Sequence, residues 1–459
     1  MNKITMGLMA VLAISAVSCK KNLESAGSAD RALHAGPFVD TVTLSGAIAA
    51  NRTLTKDTLY LLDGKVFVTK GATLTINAGT RIEGVKYTSA ISSSALIVIR
   101  GAKISANGTS ALPITFTSNQ GDDAEPGDWG GIVVLGKAKI NKADTLIEGI
   151  DNSIAASLPA LGLSLDSLKY GGGGANVGND ADNSGIITYT VIKFAGASIS
   201  ANNELNGLTL GGVGNGTVLS YIESAYGRDD AFEFFGGAVN ADHLVALAAD
   251  DDSYDTDFGF RGTISYSLSI LDPNKPSYSS DPNGLEADND GSGTNALPFS
   301  HPVYDHMTII GLQDSTKAGI LGKKILYGAR LRRATNYTIT NSIFMGFVNG
   351  ISIESDSSVA HIANFHHNLV HGYRAPVLQS ALSATVLTNN GPSFYTDIAN
   401  ANTSIKLGTS TSTPWNLGSF IPASDSPAKD GGVSNTYRGA FQPSVTAWTA
   451  GWADLAYWY

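Results

Sequence analysis

The chain has 459 residues, 51 of them glycine, and only 15% are charged, against roughly 7% glycine and ~25% charge in ordinary globular proteins. Thirty basic residues face forty acidic ones, for a net charge of −10, which leaves no basic excess for a phosphate backbone and argues against nucleic acid as a partner. The single cysteine excludes an intramolecular disulfide and a cysteine-based zinc site.

The first residues, MNKITMGLMAVLAISAVSC, place Lys3 before an apolar run from Ile4 to Val17. That run is too short to span a bilayer as a helix but suits the apolar region of a signal peptide. Ala16-Val17-Ser18 before Cys19 resembles a bacterial lipobox, so residues 1–18 are expected to be a lipoprotein signal peptide with Cys19 the lipidated first residue. The alternative is an ordinary export signal with an incidental cysteine. Lys20 and Lys21 follow with no Asp after the cysteine, so retention at the inner membrane is not suggested. Residues 19–38 are polar and small and read as a flexible tether.

From residue 39 onward, short alternating stretches such as Lys65-Val66-Phe67-Val68 and Ala95-Leu96-Ile97-Val98-Ile99 are interrupted by Gly, Asn, Asp and Thr, the pattern of strands and turns. The best helical window is 154–169. Leu208-Thr209-Leu210 recurs as Phe232-Glu233-Phe234 and again as Phe258-Gly259-Phe260. Leu219-Ser220-Tyr221 recurs at the same interval as His243-Leu244-Val245. Repeats of roughly 20–30 residues made of strands alone predict an all-β solenoid. A sandwich or propeller is the competing architecture, and a propeller blade needs roughly 40–45 residues. The predicted organisation is a parallel β-helix over 39–430 with a C-terminal aromatic cap over 431–459, where WTAGWADLAYWY carries three tryptophans.

The segments LDGKVFVTKGATLTINAGTRIEG, ALIVIRGAKISANGTSALPITFTS, GDWGGIVVLGKAKIN and NELNGLTLGGVGNGTVLSYIESAYGRDDAFEFFGGAVNADHLVA resemble a family of right-handed parallel β-helix lipoproteins of Bacteroidota, as does the terminus YRGAFQPSVTAWTAGWADLAYWY. The resemblance covers roughly 55–459. It implies the fold and an outer-membrane, lipid-anchored location, and it supplies no catalytic residues. By association it suggests a TonB-dependent transporter as a partner.

Charge is concentrated between Arg228 and Asp290, where fourteen acidic residues meet only Arg228, Arg261 and Lys275, a local charge of −11. Solenoid register would bring Asp229-Asp230, Asp250-Asp251-Asp252 with Asp255 and Asp257, and Glu286, Asp288 and Asp290 onto successive coils near the ~4.8 Å strand spacing. Crowded carboxylates raise one another's pKa or recruit a cation, and an oxygen-only set favours calcium. The spacing is not that of an EF-hand. A solvated acidic face and a catalytic carboxylate group are the alternatives. Arg228, Glu233 and Arg261 are the candidate ligand-binding residues beside this ledge. The acidic loop 178–183 reads as a plain turn.

Parallel β-helices host polysaccharide lyases and hydrolases. A lyase needs a base beside calcium, which Arg261 or Arg228 could supply. A glycosidase needs two carboxylates roughly 5–9.5 Å apart. No Gly-x-Ser-x-Gly elbow is present. His361, His366, His367 and His371 read as turn or ladder residues, and Gly171–Gly174 as an excursion from the solenoid. Lys323, Lys324, Arg330, Arg332 and Arg333 are expected several coils from the acidic ledge. Trp129, Tyr226, Phe235, Tyr254 and Tyr266 are candidates for stacking on a pyranose, with internal stacking the alternative for Phe235. The sequence therefore predicts a calcium-holding envelope binding module for a glycan, nutrient or partner protein. A calcium-dependent polysaccharide enzyme and an adhesin-like rod stand as alternatives.

Overall fold

The computed structural model describes residues 38–459 except 90–91, 144, 151–153, 201–202, 280, 321–324, 391–393, 410–411 and 418. The expected signal peptide, Cys19 and nearly all of the tether lie outside the described residues, as do Lys323 and Lys324. No helix among the described residues is long and apolar enough to cross a membrane.

Among the described residues, twenty-eight strands join through parallel pairings and resolve into three stacks. The first runs from Asp40–Leu44 through Thr58–Leu62 and Arg81–Gly84 to Ile114–Ser118 and onward. The second includes Lys65–Val68, Ala95–Val98, Ile132–Leu135, Leu208–Val213, Phe232–Gly237, Tyr254–Asp257, Asn283–Ala287 and Tyr327–Leu331. The third starts at Arg52–Leu54 and Thr73–Asn77. The all-β parallel β-helix expected from the repeats is the observed fold.

The core follows from the period of two. In the second stack Val66, Leu96, Ile132, Leu208, Phe232, Tyr254, Leu285 and Ala329 lie in register and are all at most 1% exposed. Alternate residues point outward. Leu208 pairs with Phe232, as the repeat indicates, but the next partner is Tyr254, not Phe258. Likewise Leu219 pairs with Ala241 and Ile222 with Leu244. These slips, of four and of two positions, preserve which side chains face inward, so alternation alone does not detect them.

The third stack passes into the first through residues in the left-handed region: Tyr189, Tyr221, His243, Tyr266 and His306 have φ between 45° and 55°. Such a conformation costs a non-glycine residue about 1–2 kcal/mol. Their rings stack coil on coil, Tyr189 on Tyr221 and Tyr221 on His243 both at 4.4 Å, His243 on Tyr266 at 5.6 Å and Tyr266 on His306 at 4.8 Å. Each stacked pair contributes about 0.5–1.5 kcal/mol, so the ladder offsets much of the strain.

Residues 431–459 cover coils along a flank rather than at the last coil alone. Gly439 donates its N–H to Asn341 O, and farther on Trp448 meets His243, Trp452 meets Tyr221 and Tyr189, and Trp458 meets Phe194. The reason is the aromatic ladder itself, whose exposed edges offer tryptophans more contact than a single coil end. The end of the stack is met by the helix Ser383–Asn390, whose Val386 joins the core beside Phe365 and Val370.

Residues 136–183 leave the solenoid as a long excursion. The helical window at 154–169 is two 3₁₀ turns, Leu158–Leu161 and Leu165–Leu168, separated at Gly162, which takes φ 70°. The excursion lies on the outer face of the second stack. Gly211 makes the room: a Cβ there would fall 2.8 Å from both Tyr170 and Ile147.

Candidate functional site: an acidic cleft beneath the excursion

The outward face of the second stack changes character coil by coil. One column reads Phe67, Ile97, Val133, Thr209, Glu233, Asp255, Glu286, Arg330, Ser352. The next column places Gly211, Phe235 and Asp257 in register, and Asp288 and Arg332 continue it through N–H bonds to Thr256 O and Ala287 O. The apolar early coils are thus covered by the excursion, and carboxylates take over where that cover ends.

Two of the predicted ligands have a structural task. Asp230 N–H donates to Asn206 Oδ1 (3.2 Å), Asp252 N–H to Asp230 Oδ1 (2.8 Å) and Asn283 N–H to Asp252 Oδ1 (2.7 Å). This is an Asn/Asp ladder in which each side chain accepts the backbone donor of the next coil. Each aspartate also offers an oxygen to the carboxylate sets of the cleft.

Among the described residues, the ladder and the outward columns together with Glu148, Glu204, Asp229 and Asp251 make four overlapping carboxylate sets, each with ligand atoms within 4.8 Å of one another: Glu148, Glu204 and Asp229; Asp229, Asp230 and Asp251; Asp230, Glu233 and Asp255; Asp252, Asp255 and Glu286. Burial is the leading cause that raises the perturbed carboxyls of these sets, followed in most by like-charged neighbours. It lifts Glu148 to about 7 and Asp251 to about 6, and it lifts Asp257, which belongs to none of the four sets, to about 7. Asp229, Asp230, Glu233, Asp252 and Asp255 are raised well above the ordinary range. Glu286 rises to about 8 through burial even though Arg332 and Arg330 pull it down.

The remaining predicted residues divide clearly. Asp250 pairs with Lys275 Nζ at 2.5 Å, and Asp251 accepts from Ser279 Oγ at 2.7 Å. Asp257 accepts the N–H of Phe258 at 2.5 Å. Asp288 is gripped by Arg332 (2.9 Å) and Arg333 (2.8 Å), and Arg332 also binds Glu286. Asp290 accepts from the Thr294 hydroxyl and from the N–H groups of Thr294 (3.2 Å) and Ser292 (2.9 Å) and stays below the ordinary carboxyl range, since these bonds outweigh its burial; it closes its own loop and belongs to none of the four sets. Arg228 is exposed at the coil corner, its stem against Gly127.

Arg261 does not face the cleft as a free base. Its Nη1 donates to Asp180 Oδ2 at 2.8 Å and its Nη2 to Lys139 O at 3.1 Å. The 178–183 loop is therefore more than a turn, because Asp180 ties the excursion to the solenoid. Arg330 and Arg332, expected several coils away, stand in the coil directly after Glu286 and Asp288. The stretch of sequence between them is one long coil, so sequence distance overstates distance in space.

Sequence reading missed Glu148 and Glu204, which reach the cleft from segments outside the repeat. No local signal marks them, because only the folding-back of the excursion brings Glu148 to Asp229. Of the proposed stacking aromatics, Trp129 and Tyr254 are fully buried and Tyr226 is 1% exposed, so they serve the interior. Phe235 lines the cleft with Tyr170 and Phe258.

The donor set fits a hard cation. Asp255 Oδ1 and Asn283 Oδ1 are buried and accept no hydrogen bond among the described residues. Calcium takes roughly six to eight oxygens, a number that overlapping carboxylate sets can supply. No curated protein and no solved structure matches the chain. A family model described as a pectate-lyase-like β-helix domain matches residues 46–453. The chain thus belongs to the pectate-lyase-like β-helix family.

Proposed function

We propose that the protein is a lipid-anchored outer-membrane binding module that holds calcium in the acidic cleft and presents the cleft to a glycan, nutrient or partner protein. One observation carries the calcium assignment: Asp230, Glu233 and Asp255 converge within 4.8 Å while Asp255 Oδ1 lacks any donor among the described residues. Three ionised carboxylates so close repel by several kcal/mol unless a cation or protons intervene. Thermal melts of the chain from residue 20, in calcium and in chelator, test it. The expected result is a rise of several degrees in calcium that Asp255→Asn removes. No shift in the unsubstituted chain would reduce the cleft to an acidic face.

The anchoring part of the proposal rests on Cys19 and the apolar run before it. Acyl labelling that persists in Cys19→Ser would overturn it. An outer-membrane transporter of the TonB-dependent type is the proposed protein partner, and co-purification from the native membrane is its test.

The second reading is a calcium-dependent polysaccharide lyase or hydrolase, favoured by Glu233 and Asp255 facing each other across adjacent coils and by the family's name. The engagement of Arg261 with Asp180 supports binding over elimination, because a lyase base must reach its substrate proton. Accumulation of unsaturated uronate, read by its ultraviolet absorbance, would reverse this order.

A further inference from the structure

The cleft has a second end with different chemistry. Between the excursion and the solenoid lies a cavity of about 300 Å³ walled by Ile147, Ile150, Tyr170, Phe235 and Phe258, with Glu148 at its rim. Its rings form a connected wall: Tyr170 and Phe235 have centroids 6.0 Å apart, and Phe235 and Phe258 are stacked at 5.8 Å. Lys142, also a lining residue, sets its Nζ 3.8 Å from the centre of the Phe258 ring.

Ring faces carry negative quadrupole charge and attract ammonium groups. The carboxyl of Glu148, which lines the same cavity, favours a cation over an anion beside those faces. The aliphatic wall of Ile147 and Ile150 suits the methylenes or methyls next to such a nitrogen. The chain already places one ammonium there, that of Lys142, and Lys142 is otherwise exposed, so its side chain can leave.

We propose that this cavity is a binding site for an alkylammonium group, with Lys142 as the tethered cation that the ligand displaces. The proposal deepens the binding-module reading and rests on it, naming the ligand class. It is distinct from the calcium set Asp230, Glu233 and Asp255, none of which lines the cavity, and it adjoins the set of Glu148, Glu204 and Asp229 through Glu148.

The test is calorimetric titration of the full chain with n-butylammonium and n-butyltrimethylammonium, with n-butanol and n-butyrate as neutral and anionic counterparts. Both ammonium probes are expected to bind saturably and the counterparts not to. Lys142→Met should tighten the ammonium probes by about fivefold or more, and Phe258→Ala should weaken them by about tenfold. Both variants should keep the calcium-dependent rise in melting temperature, which also reports that they fold. The absence of saturable ammonium binding in both the unsubstituted chain and Lys142→Met would overturn the proposal. So would equal binding of n-butanol, or full competition between ammonium and calcium that Phe258→Ala leaves unchanged. Loss of the calcium response with ammonium binding intact would overturn the calcium assignment instead.

Discussion

In the absence of a cation, the carboxyl of Asp257 should make the protein less stable as pH rises. The residue is 8% exposed, and burial, ahead of the charges of Asp288 and Asp290, lifts its pKa from 3.8 to about 7. A carboxyl raised in the folded state costs nothing below its unfolded pKa, costs progressively more between the two values, and is constant above the folded one. For 3.8 and about 7, the cost is about 1.7 kcal/mol at pH 5 and about 4 kcal/mol at pH 8. Unfolding entropy near 2.1 cal/mol/K per residue gives about 0.9 kcal/mol/K for roughly 420 residues. Asp257→Asn retains an acceptor for the Phe258 N–H and removes the charge. In chelator, it should therefore raise the melting temperature by about 4–5 °C at pH 8 and by about 2 °C at pH 5. Differential scanning calorimetry at the two pH values measures both. A destabilised Asp257→Asn at pH 8, or an increment independent of pH, would refute the argument that burial of this charge is unfavourable.

Three further outcomes follow from the packing. Arg332→Gln removes the cation that Glu286 and Asp288 share and leaves them Arg330 and Arg333, so it should cost about 1.5–3 kcal/mol, read as a fall in urea midpoint that is larger at pH 8 than at pH 5. Trp452→Ala removes a 4% exposed indole set edge-on to Tyr189 at 5.8 Å and Tyr221 at 6.0 Å. It should cost about 3–5 kcal/mol and open the C-terminal segment to limited proteolysis, and an unchanged digestion pattern would count against the flank cover. At Gly185 (φ 121°) a Cβ would fall 1.8 Å from Ile104 O, whereas at Gly162 (φ 70°) it meets nothing within 4 Å. Gly185→Ala should thus fail to yield folded protein by circular dichroism, while Gly162→Ala should lose only about 1 kcal/mol.

The order of these effects matters for the cleft. Asp230 and Asp252 carry ladder hydrogen bonds to the next coil, so their replacement by Ala would damage the fold before it reports on a ligand. Asp255 Oδ1 accepts no such bond among the described residues, which makes Asp255→Asn the informative change.

Alternation with glycine and polar corners marks strands, and the step from Leu208 to Phe232 is too short for a propeller blade, so the sequence by itself pointed to the solenoid and to the pairing of Leu208 with Phe232, while the inward place of Tyr254, offered by the sequence as a stacking surface, came from the structure. It also determined that Asp229 to Glu286 would crowd, because coils in register bring equivalent positions together. Other features came only with tertiary structure. The pairing of Phe232 with Tyr254 rather than Phe258 is invisible to alternation, since a slip of four positions, like any even slip, leaves every side chain on the same face. Arg332 beside Asp288, Asp180 beside Arg261 and Glu148 beside Asp229 join segments of unequal coil length or an excursion, and no local pattern encodes where such segments fold back. The C-terminal tryptophans were legible as a cover, but the surface they cover was decided by a ladder of left-handed Tyr and His corners that exists only once the coils are stacked.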